Sequence, residues 1–144
     1  MLVSQILKSK AEDTVVTAAP GMLVSEAAKI LADKRIGTLV ISSDGKTALG
    51  ILSERDIVRE LGNQGGGILS LSVDKLMTSK LVTCTRNDRA DEILQTMTDG
   101  RFRHMPVIED GELVGIVTLG DVVKARLTEL AMEKNALEGM IMGH

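Results

Sequence analysis

The sequence contains no tryptophan, no tyrosine and a single phenylalanine, with one cysteine and two histidines among its 144 residues. With one such aromatic side chain, the chain lacks the series of platforms on which single-strand-binding proteins stack nucleic-acid bases. Its 17 basic residues are scattered along the chain and 20 acidic residues outweigh them, for a net charge of −3. This pattern excludes the basic stripe expected of a duplex-binding protein, so nucleic acid is not an expected partner.

The scarcity of cysteine also excludes a disulfide scaffold. A single Cys84 cannot form an internal bridge, which fits a reducing compartment. No apolar run approaches the ~20 residues of a membrane span, and Lys8 and Lys10 interrupt the apolar start that a signal peptide needs. A soluble cytoplasmic protein without membrane contact is therefore expected.

Few residues are available for metal binding or catalysis. Zinc takes at least three nitrogen or sulfur ligands, and the chain offers Cys84, His104 and the terminal His144. Cys84 lies in an apolar predicted strand, where burial disfavours the reactive thiolate. No metal site, no catalytic residue, no catalytic cofactor and no enzymatic activity are predicted.

The sequence does contain the same phrase twice. Residues 50–58 (GILSERDIV) recur as residues 115–123 (GIVTLGDVV), a shift of 65 positions. Upstream, Glu26 pairs with Glu92 at a shift of 66, so the first copy carries one extra residue. An open solenoid needs about three or more units to bury its core, so two copies predict a pseudo-twofold pair.

Each copy predicts the element order β-α-β-β-α. The pattern indicates strands at 14–17, 38–41 and 49–52 and then at 81–84, 105–108 and 113–117, with helices between and after them. The predicted class is α+β, with two such repeats packed by pseudo-twofold symmetry. The predicted segments are 1–13 (N-terminal helix or lead-in), 14–62 (first repeat), 63–76 (linker and lead-in, with a flexible connector at 63–67), 77–126 (second repeat) and 127–144 (C-terminal helix extension).

The last helix outruns the second repeat and carries an apolar stripe. The stripe consists of Val123, Leu127, Leu130, Leu137 and Ile141. Such a stripe is usually core or a subunit contact, and its position beyond the repeat favours dimerisation.

Both phrases place a hydroxyl three residues before an aspartate, at the end of a strand. Ser53 with Asp56 and Thr118 with Asp121 each match a capping box, which satisfies free N–H groups of the first helical turn. The same position suits a ligand, because a helix N-terminus attracts phosphate and an aspartate accepts both hydroxyls of a ribose. Both interpretations remain open at this point.

The doubled motifs resemble a tandem pair of CBS domains, the module named after cystathionine β-synthase, over about residues 14–126. The resemblance implies two clefts, disc-like dimers and binding of adenosine compounds such as AMP, ADP, ATP, S-adenosylmethionine or NAD(H). Matched to the family's motifs, the residues implied for the first cleft are Val16, Thr17, Ile36, Gly37, Thr38, Leu39, Ser53, Arg55 and Asp56. Those implied for the second cleft are Val82, Thr83, Arg103, His104, Met105, Pro106, Thr118 and Asp121.

The two copies differ where the family places phosphate contacts. The second copy has Arg103 and His104 before Met105, where the first has Gly37 and Thr38. Arginine binds phosphate at any relevant pH, whereas a histidine of ordinary pKa is only partly charged at neutrality. The second cleft is therefore predicted to be the occupied one.

The functional prediction is a regulatory module that binds an adenine nucleotide and modulates another protein through its dimer. AMP is the first choice, because no long basic groove is visible along the sequence, and NADH or ATP follow. A homodimer through the helices of the repeats and the C-terminal helix is expected, and the regulated protein is unknown. The alternative is a structural dimeric adaptor that binds no ligand, in which the two boxes only cap helices.

Overall fold

The second repeat follows the element order of the first, and each repeat builds a small sheet. The computed structural model describes residues 1–10 and 15–142. The elements are α1 (Val3–Ser9), β1 (Thr17–Ala18), α2 (Val24–Lys34), β2 (Thr38–Ile41), β3 (Gly50–Ser53), α3 (Glu54–Gln64), α4 (Ala90–Gly100), β4 (His104–Glu109), β5 (Glu112–Thr118) and α5 (Leu119–Ile141). The predicted α+β class and the paired repeats are confirmed.

The two sheets differ in their first strand. In the first repeat β1 runs parallel to β2, and β2 pairs antiparallel with β3. In the second repeat β4 and β5 are antiparallel, and one parallel bridge from Cys84 to Val107 stands in place of β1. The strand predicted at 81–84 is therefore reduced to a bridge, and Thr14, which opens the strand predicted at 14–17, lies outside the described residues.

The first helix of each repeat ends at an arginine in the left-handed conformation. Arg35 follows α2 with φ 53°, and Arg101 follows α4 with φ 57°. Non-glycine residues rarely adopt positive φ, so the matching conformations are a structural sign of the duplication. Each arginine turns the chain toward the next strand, β2 or β4.

Each repeat is completed by the segment that precedes the other repeat. The chain before the second repeat crosses to the first, where the Val24 N–H donates to Leu71 O (2.9 Å) and the Val73 N–H donates to Met22 O (2.8 Å). Val73 and Leu76 are buried in one core with apolar residues of α2, β2 and β3. The lead-in of the second repeat thus belongs to the core of the first.

The N-terminal helix makes the reciprocal contact with the second repeat. The Ala90 N–H donates to Met1 O (2.9 Å), and the Val3 N–H donates to Asp88 O (2.9 Å). Val3 and Ile6 are buried in the second core, together with apolar residues of α4, β4, β5 and α5. The exchange ties the two repeats together through both lead-ins.

Gly50 and Gly115, which open the repeated phrase, lie where the lead-ins approach β3 and β5 most closely. A Cβ atom at Gly50 would lie 2.5 Å from Met77 Sδ and 3.0 Å from the carbonyl oxygen of Thr78. A Cβ atom at Gly115 would lie 2.9 Å from Leu7 Cδ2. These contacts are shorter than van der Waals separation, so packing of the lead-ins explains both glycines without a ligand.

The glycine-rich connector is folded into regular turns. Asn63 and Gln64 are the last residues of α3, and Gly66–Ser70 forms a 3-10 turn. Ile68 is buried in the first core and anchors this turn. The connector predicted at 63–67 therefore consists of the end of α3 and the start of a 3-10 turn.

α5 packs against the second repeat over its first half alone. Val122 and Ala125 are its buried residues, and the apolar side chains from Leu127 onward are exposed. The helix continues through Ile141, close to the predicted end of the extension. Within residues 1–10 and 15–142, no helix combines the length and apolarity that crossing a bilayer requires.

Candidate functional site

Both Ser/Thr–Asp pairs form complete capping boxes. The Ser53 N–H donates to Asp56 Oδ2 (2.9 Å) and the Asp56 N–H donates to Ser53 Oγ (3.2 Å). The Thr118 N–H donates to Asp121 Oδ2 (2.9 Å) and the Asp121 N–H donates to Thr118 Oγ1 (3.1 Å). Capping uses one carboxylate oxygen of each aspartate and leaves Oδ1 for another partner.

The first residue of α3 and the first residue of α5 each donate a further hydrogen bond, to the residue that precedes the neighbouring strand. The Glu54 N–H donates to Gly37 O (2.9 Å), and the Leu119 N–H donates to Arg103 O (2.8 Å). Neither the caps nor these two bonds use the N–H of Arg55, the second residue of α3. That N–H points outward along the helix axis, where a helix favours an anion.

A cavity of about 710 Å³ lies between the two repeats, in front of the α3 N-terminus. Five segments line it: the chain between α2 and β2, the end of β3 with the start of α3, residues 78–82, the chain between α4 and β4, and the end of β5 with the start of α5. Its lining residues are Gly37, Ile51, Ser53, Glu54, Arg55, Asp56, Arg59, Thr78, Lys80, Leu81, Val82, Gly100, Arg101, Phe102, Arg103, His104, Thr118, Leu119 and Gly120. The volume is in the range of small-molecule sites.

Asp56 is the most buried charged group at this cavity, with 8% of its surface exposed. Its Oδ1 accepts a hydrogen bond from the Arg59 guanidinium at 3.0 Å. The Arg59 side chain is 58% exposed, so it can move aside at little cost. The carboxylate therefore has one oxygen in the cap, and the present partner of the other oxygen is a solvent-exposed arginine.

Cationic side chains surround the rest of the cavity. Those on its lining are Arg55, Arg59, Lys80, Arg101 and Arg103, against the carboxylates of Glu54 and Asp56. They come from both repeats and from the lead-in, so they are dispersed in the sequence and gathered only by the fold. A ligand with several negative charges fits this surrounding.

An apolar part of the wall stands beside the charged part. It comprises Ile51, Leu81, Val82, Phe102 and Leu119. Phe102 is the sole aromatic residue of the sequence. Flat apolar surface next to cations suits a molecule with an aromatic ring at one end and anionic groups at the other.

The cavity combines residues that the sequence had assigned to two separate clefts. Lining residues from the first set are Gly37, Ser53, Arg55 and Asp56, and those from the second are Val82, Arg103, His104 and Thr118. Arg103 and His104 thus lie with Asp56, whereas they were predicted to lie with Asp121. The grouping differs because this cavity is built across the two repeats.

The other predicted residues do not line this cavity. They are Val16, Thr17, Ile36, Thr38, Leu39, Thr83, Met105, Pro106 and Asp121. Leu39 and Met105 belong to the two hydrophobic cores, because side chains alternate along a strand and theirs point inward. Their side chains are therefore buried away from this cavity.

Asp121 lies in a different environment from Asp56. Lys10 Nζ lies 2.9 Å from Asp121 Oδ2 and donates to Ile116 O at 2.9 Å. A smaller hollow of about 440 Å³ adjoins this pair. Burial acts to raise the pKa of Asp121, but the Thr118 N–H and the Lys10 ammonium together hold it below its ordinary value.

Arg59, Lys80 and Arg101 are cavity residues that sequence reasoning missed. Arg59 follows Asp56 by three positions, so it shares the face of α3 that carries the aspartate. Arg101 repeats Arg35 at the end of the helix, which was a usable signal in the sequence. Lys80 offered no signal, because its place depends on the path of the lead-in.

His104 lies in the wall near the boundary between the repeats. A Cβ atom on Gly37 would be 3.5 Å from its Nε2. Burial lowers the pKa of His104, and Arg103 and Lys10 lower it further, while Glu54 and Asp121 oppose the change. The lowered pKa favours the neutral imidazole at pH 7.

Cys84 does not offer a reactive thiol. It is buried in the second core, and burial raises its pKa to about 12. Among the residues that the structure describes, no three His, Cys, Asp or Glu side chains converge as a metal site would require. His144, the third ligand considered from the sequence, lies outside the described residues.

The sequence matches known proteins over almost its whole length. The profile of the CBS domain family matches residues 3–63 and 73–128. The chain is 34% identical over 148 residues to "CBS domain-containing protein CBSX3, mitochondrial" of Arabidopsis thaliana, which covers 98% of this chain and 72% of that protein. It is 33% identical to an uncharacterized 17.7 kDa protein of Acidianus ambivalens, over 91% of this chain and 76% of that one.

Solved structures resemble the fold equally well. The CBS-domain containing protein ATU1752 from Agrobacterium tumefaciens has a TM-score of 0.83 and 42% identity, covering 88% of this chain and 99% of that one. The CBS domain pair of protein MJ0100, in complex with 5′-methylthioadenosine and S-adenosyl-L-methionine, has a TM-score of 0.77 and 26% identity, covering 90% and 98%. The matched segments coincide with the two repeats and their lead-ins.

Proposed function

The chain belongs to the CBS domain family, and on that premise we propose that it is a regulatory module that binds an adenine nucleotide. The proposed site is the cavity between its repeats. The observation that carries the proposal is the buried Asp56 carboxylate at a helix N-terminus, flanked by an apolar wall and by five cationic side chains. The adenosine compounds in the related MJ0100 complex support the same ligand class. The module has no catalytic role in this proposal.

In the proposed complex, each part of the nucleotide has a matching surface. Asp56 Oδ1 accepts hydrogen bonds from the ribose hydroxyls while Oδ2 remains in the cap. The base lies against the apolar wall that includes Val82 and Phe102. The phosphates meet the Arg55 N–H at the start of α3 and the guanidinium of Arg103.

The charge of the cavity favours a longer phosphate chain than that of AMP. AMP was preferred from the sequence because no basic groove was visible, but folding gathers five cations around the cavity. A nucleoside di- or triphosphate, or a dinucleotide such as NADH, makes use of more of them than a monophosphate does. We therefore propose the order ATP or ADP, then NADH, then AMP.

Calorimetric titration of the full chain with ATP, ADP, AMP, NADH, adenosine and S-adenosylmethionine tests this proposal. We expect ATP to bind about tenfold or more tightly than AMP, because one additional charge-assisted hydrogen bond contributes about 1.5–3 kcal/mol. The difference between ATP and AMP should shrink at high salt, since the cations are near the surface. Adenosine serves as the control without phosphate.

The opposite results would favour the adaptor that binds no ligand. If none of the six compounds gives heat or raises the melting temperature at millimolar concentration, the two boxes act as helix caps alone. Equal affinity for adenosine and ATP would show that the cationic side chains do not contact the ligand.

The regulatory part of the proposal requires a dimer and a protein partner. Val58 on α3 and Val123 on α5 occupy equivalent positions of the two repeats and are 67% and 39% exposed. Exposed apolar residues on these helices support a homodimer through them. Binding of nucleotide can change the dimer only if the ligand favours one arrangement of it over another. The buried thiol suits a reducing compartment, and we propose the cytoplasm.

His104 gives the proposed site a characteristic pH dependence. Its pKa in the free protein is lowered, so it is neutral at pH 7, and a bound phosphate would raise that pKa by favouring the imidazolium. Affinity for ATP should therefore increase as pH falls from 8 toward 6. Calorimetry at several pH values with His104→Gln as the control separates this effect from protonation of the phosphate itself. Identical profiles for both proteins would remove His104 from the site.

A further inference from the structure

The second half of α5 projects from the body of the protein. The helix has 23 residues, a length of about 35 Å, and its buried residues Val122 and Ala125 lie in its first half. The N-terminal amine of Met1 pairs with Glu129, which ties this first half to the N-terminal segment. Arg126 pairs with the same carboxylate from the preceding turn of α5. Beyond that point the helix has no described core contact.

The projecting half carries apolar residues at the spacing of a coiled coil. The seam positions of a coiled coil alternate in steps of three and four residues. Here they are occupied by Leu127, Leu130, Lys134, Leu137 and Ile141, so one of the five is charged. The exposed fractions of the four apolar side chains, in the same order, are 63%, 48%, 59% and 85%. Apolar residues at this spacing and exposure are typical of a helix that packs against a partner helix.

We propose that this stripe, residues 127–141, pairs with the same stripe of a second copy of the chain as an antiparallel coiled coil. The pairing rests on the dimer part of the proposed function and goes beyond it by naming the segment and its direction. It is independent of nucleotide binding, because the cavity does not include these residues.

Charge argues against a parallel arrangement. In a parallel pair each seam residue faces its own counterpart, so the two Lys134 ammonium groups would meet inside the seam. Glu133 of each helix would also flank Glu138 of the partner subunit, because the flanking positions of adjacent turns meet in that arrangement. A parallel pair therefore places like charges together in three places.

An antiparallel pair centred near residue 132 removes most of this repulsion. Lys134 then lies opposite Leu130 of the partner subunit, and Leu127 lies opposite Leu137 of the partner subunit. Lys124 comes beside the partner subunit's Glu138, so two opposite-charge contacts form. The single like-charge contact that remains is between the two Glu133 side chains across the twofold axis, at the solvent-exposed edge.

The direction of pairing can be read from disulfide cross-links. The double substitution Leu127→Cys and Leu137→Cys in the full chain is oxidised, and the dimer band is digested with trypsin. Trypsin cuts after Arg126 and Lys134, so the two introduced thiols fall on different peptides. We expect peptides joined between positions 127 and 137. Joined pairs of identical peptides would show a parallel arrangement and overturn the proposal, as would the absence of a cross-linked dimer.

A matched pair of charge substitutions tests the stripe independently. Leu130→Glu lies on the stripe, and Met132→Glu lies on the opposite side of the helix. Their side chains are 48% and 62% exposed. Sedimentation should show dimerisation about tenfold or more weaker for Leu130→Glu alone, a loss of about 1.4 kcal/mol. Equal weakening by both would overturn the stripe as interface. ATP titration of both variants reports the cavity separately, so failure of nucleotide binding is distinguishable from failure of pairing.

Discussion

Asp56→Asn is expected to weaken ATP binding by about tenfold to a hundredfold while the protein stays folded. The amide oxygen of asparagine can still accept the Ser53 N–H bond that closes the capping box. The amide cannot accept two hydrogen bonds from a ribose diol in the way that a carboxylate does, because one of its two polar atoms is a donor. The substitution therefore separates ligand binding from helix capping.

The stability of this variant should fall by no more than about 1 kcal/mol, since the lost terms are a helix-dipole interaction and a surface ion pair with Arg59. Calorimetry measures the affinity, and thermal unfolding without ligand measures the stability. Both measurements are needed, because a protein that unfolds also loses its binding site.

Asp121→Asn is the matched control. It occupies the equivalent position of the second repeat, makes the same cap, and pairs with Lys10 outside the 710 Å³ cavity. Its ATP affinity is expected to stay within about twofold of the unaltered protein, well below the tenfold effect of a charged hydrogen bond. If Asp121→Asn abolishes binding and Asp56→Asn does not, the nucleotide occupies the cleft beside Asp121, as the sequence alone had indicated.

The duplication allowed the fold to be predicted from the sequence. The period and the element order depend on local patterns that occur twice, so each copy checks the other. Local chemistry also specified the capping boxes at Ser53 and Thr118, because hydroxyl and carboxylate lie within one turn of each other.

The composition of the cavity was harder to predict, because it depends on contacts between distant segments. Arg103 and Asp56 share one wall although they belong to different repeats. The sequence assigned them to different clefts, since it treated each repeat as a unit with its own site. The pseudo-twofold arrangement instead places the start of each second helix against the strand entry of the other repeat.

The exchange of the lead-ins was likewise invisible in the sequence. Val3 and Ile6 form the apolar face of a short amphipathic helix, and no local pattern indicates which of the two cores they enter. The two glycines of the repeated phrase are a sequence signal of this packing, because Gly50 and Gly115 leave space for Met77 and Leu7. Their role could be recognised only after the path of both segments was known.

Ile6→Ala is expected to lower the free energy of unfolding by about 2–5 kcal/mol, the largest stability effect among the substitutions considered. Ile6 is 2% exposed in the core of the second repeat, although it lies more than 80 residues before that core's first helix, which begins at Ala90. Truncation to alanine removes buried methyl groups and leaves a cavity that the surrounding side chains fill only in part. The free energy is measured by urea unfolding of the full chain.

Leu2→Ala provides the control on the same segment. Leu2 is 38% exposed, and its backbone pairing with Arg89 does not need the side chain, so a loss below about 1 kcal/mol is expected for this partly exposed residue. A large loss for Ile6→Ala and a small one for Leu2→Ala would show that α1 is docked through its buried face and belongs to the cooperative core. Equal small losses would mean that α1 is not docked in solution. The second repeat would then be stable without α1. That result would contradict the reciprocal packing of the two lead-ins.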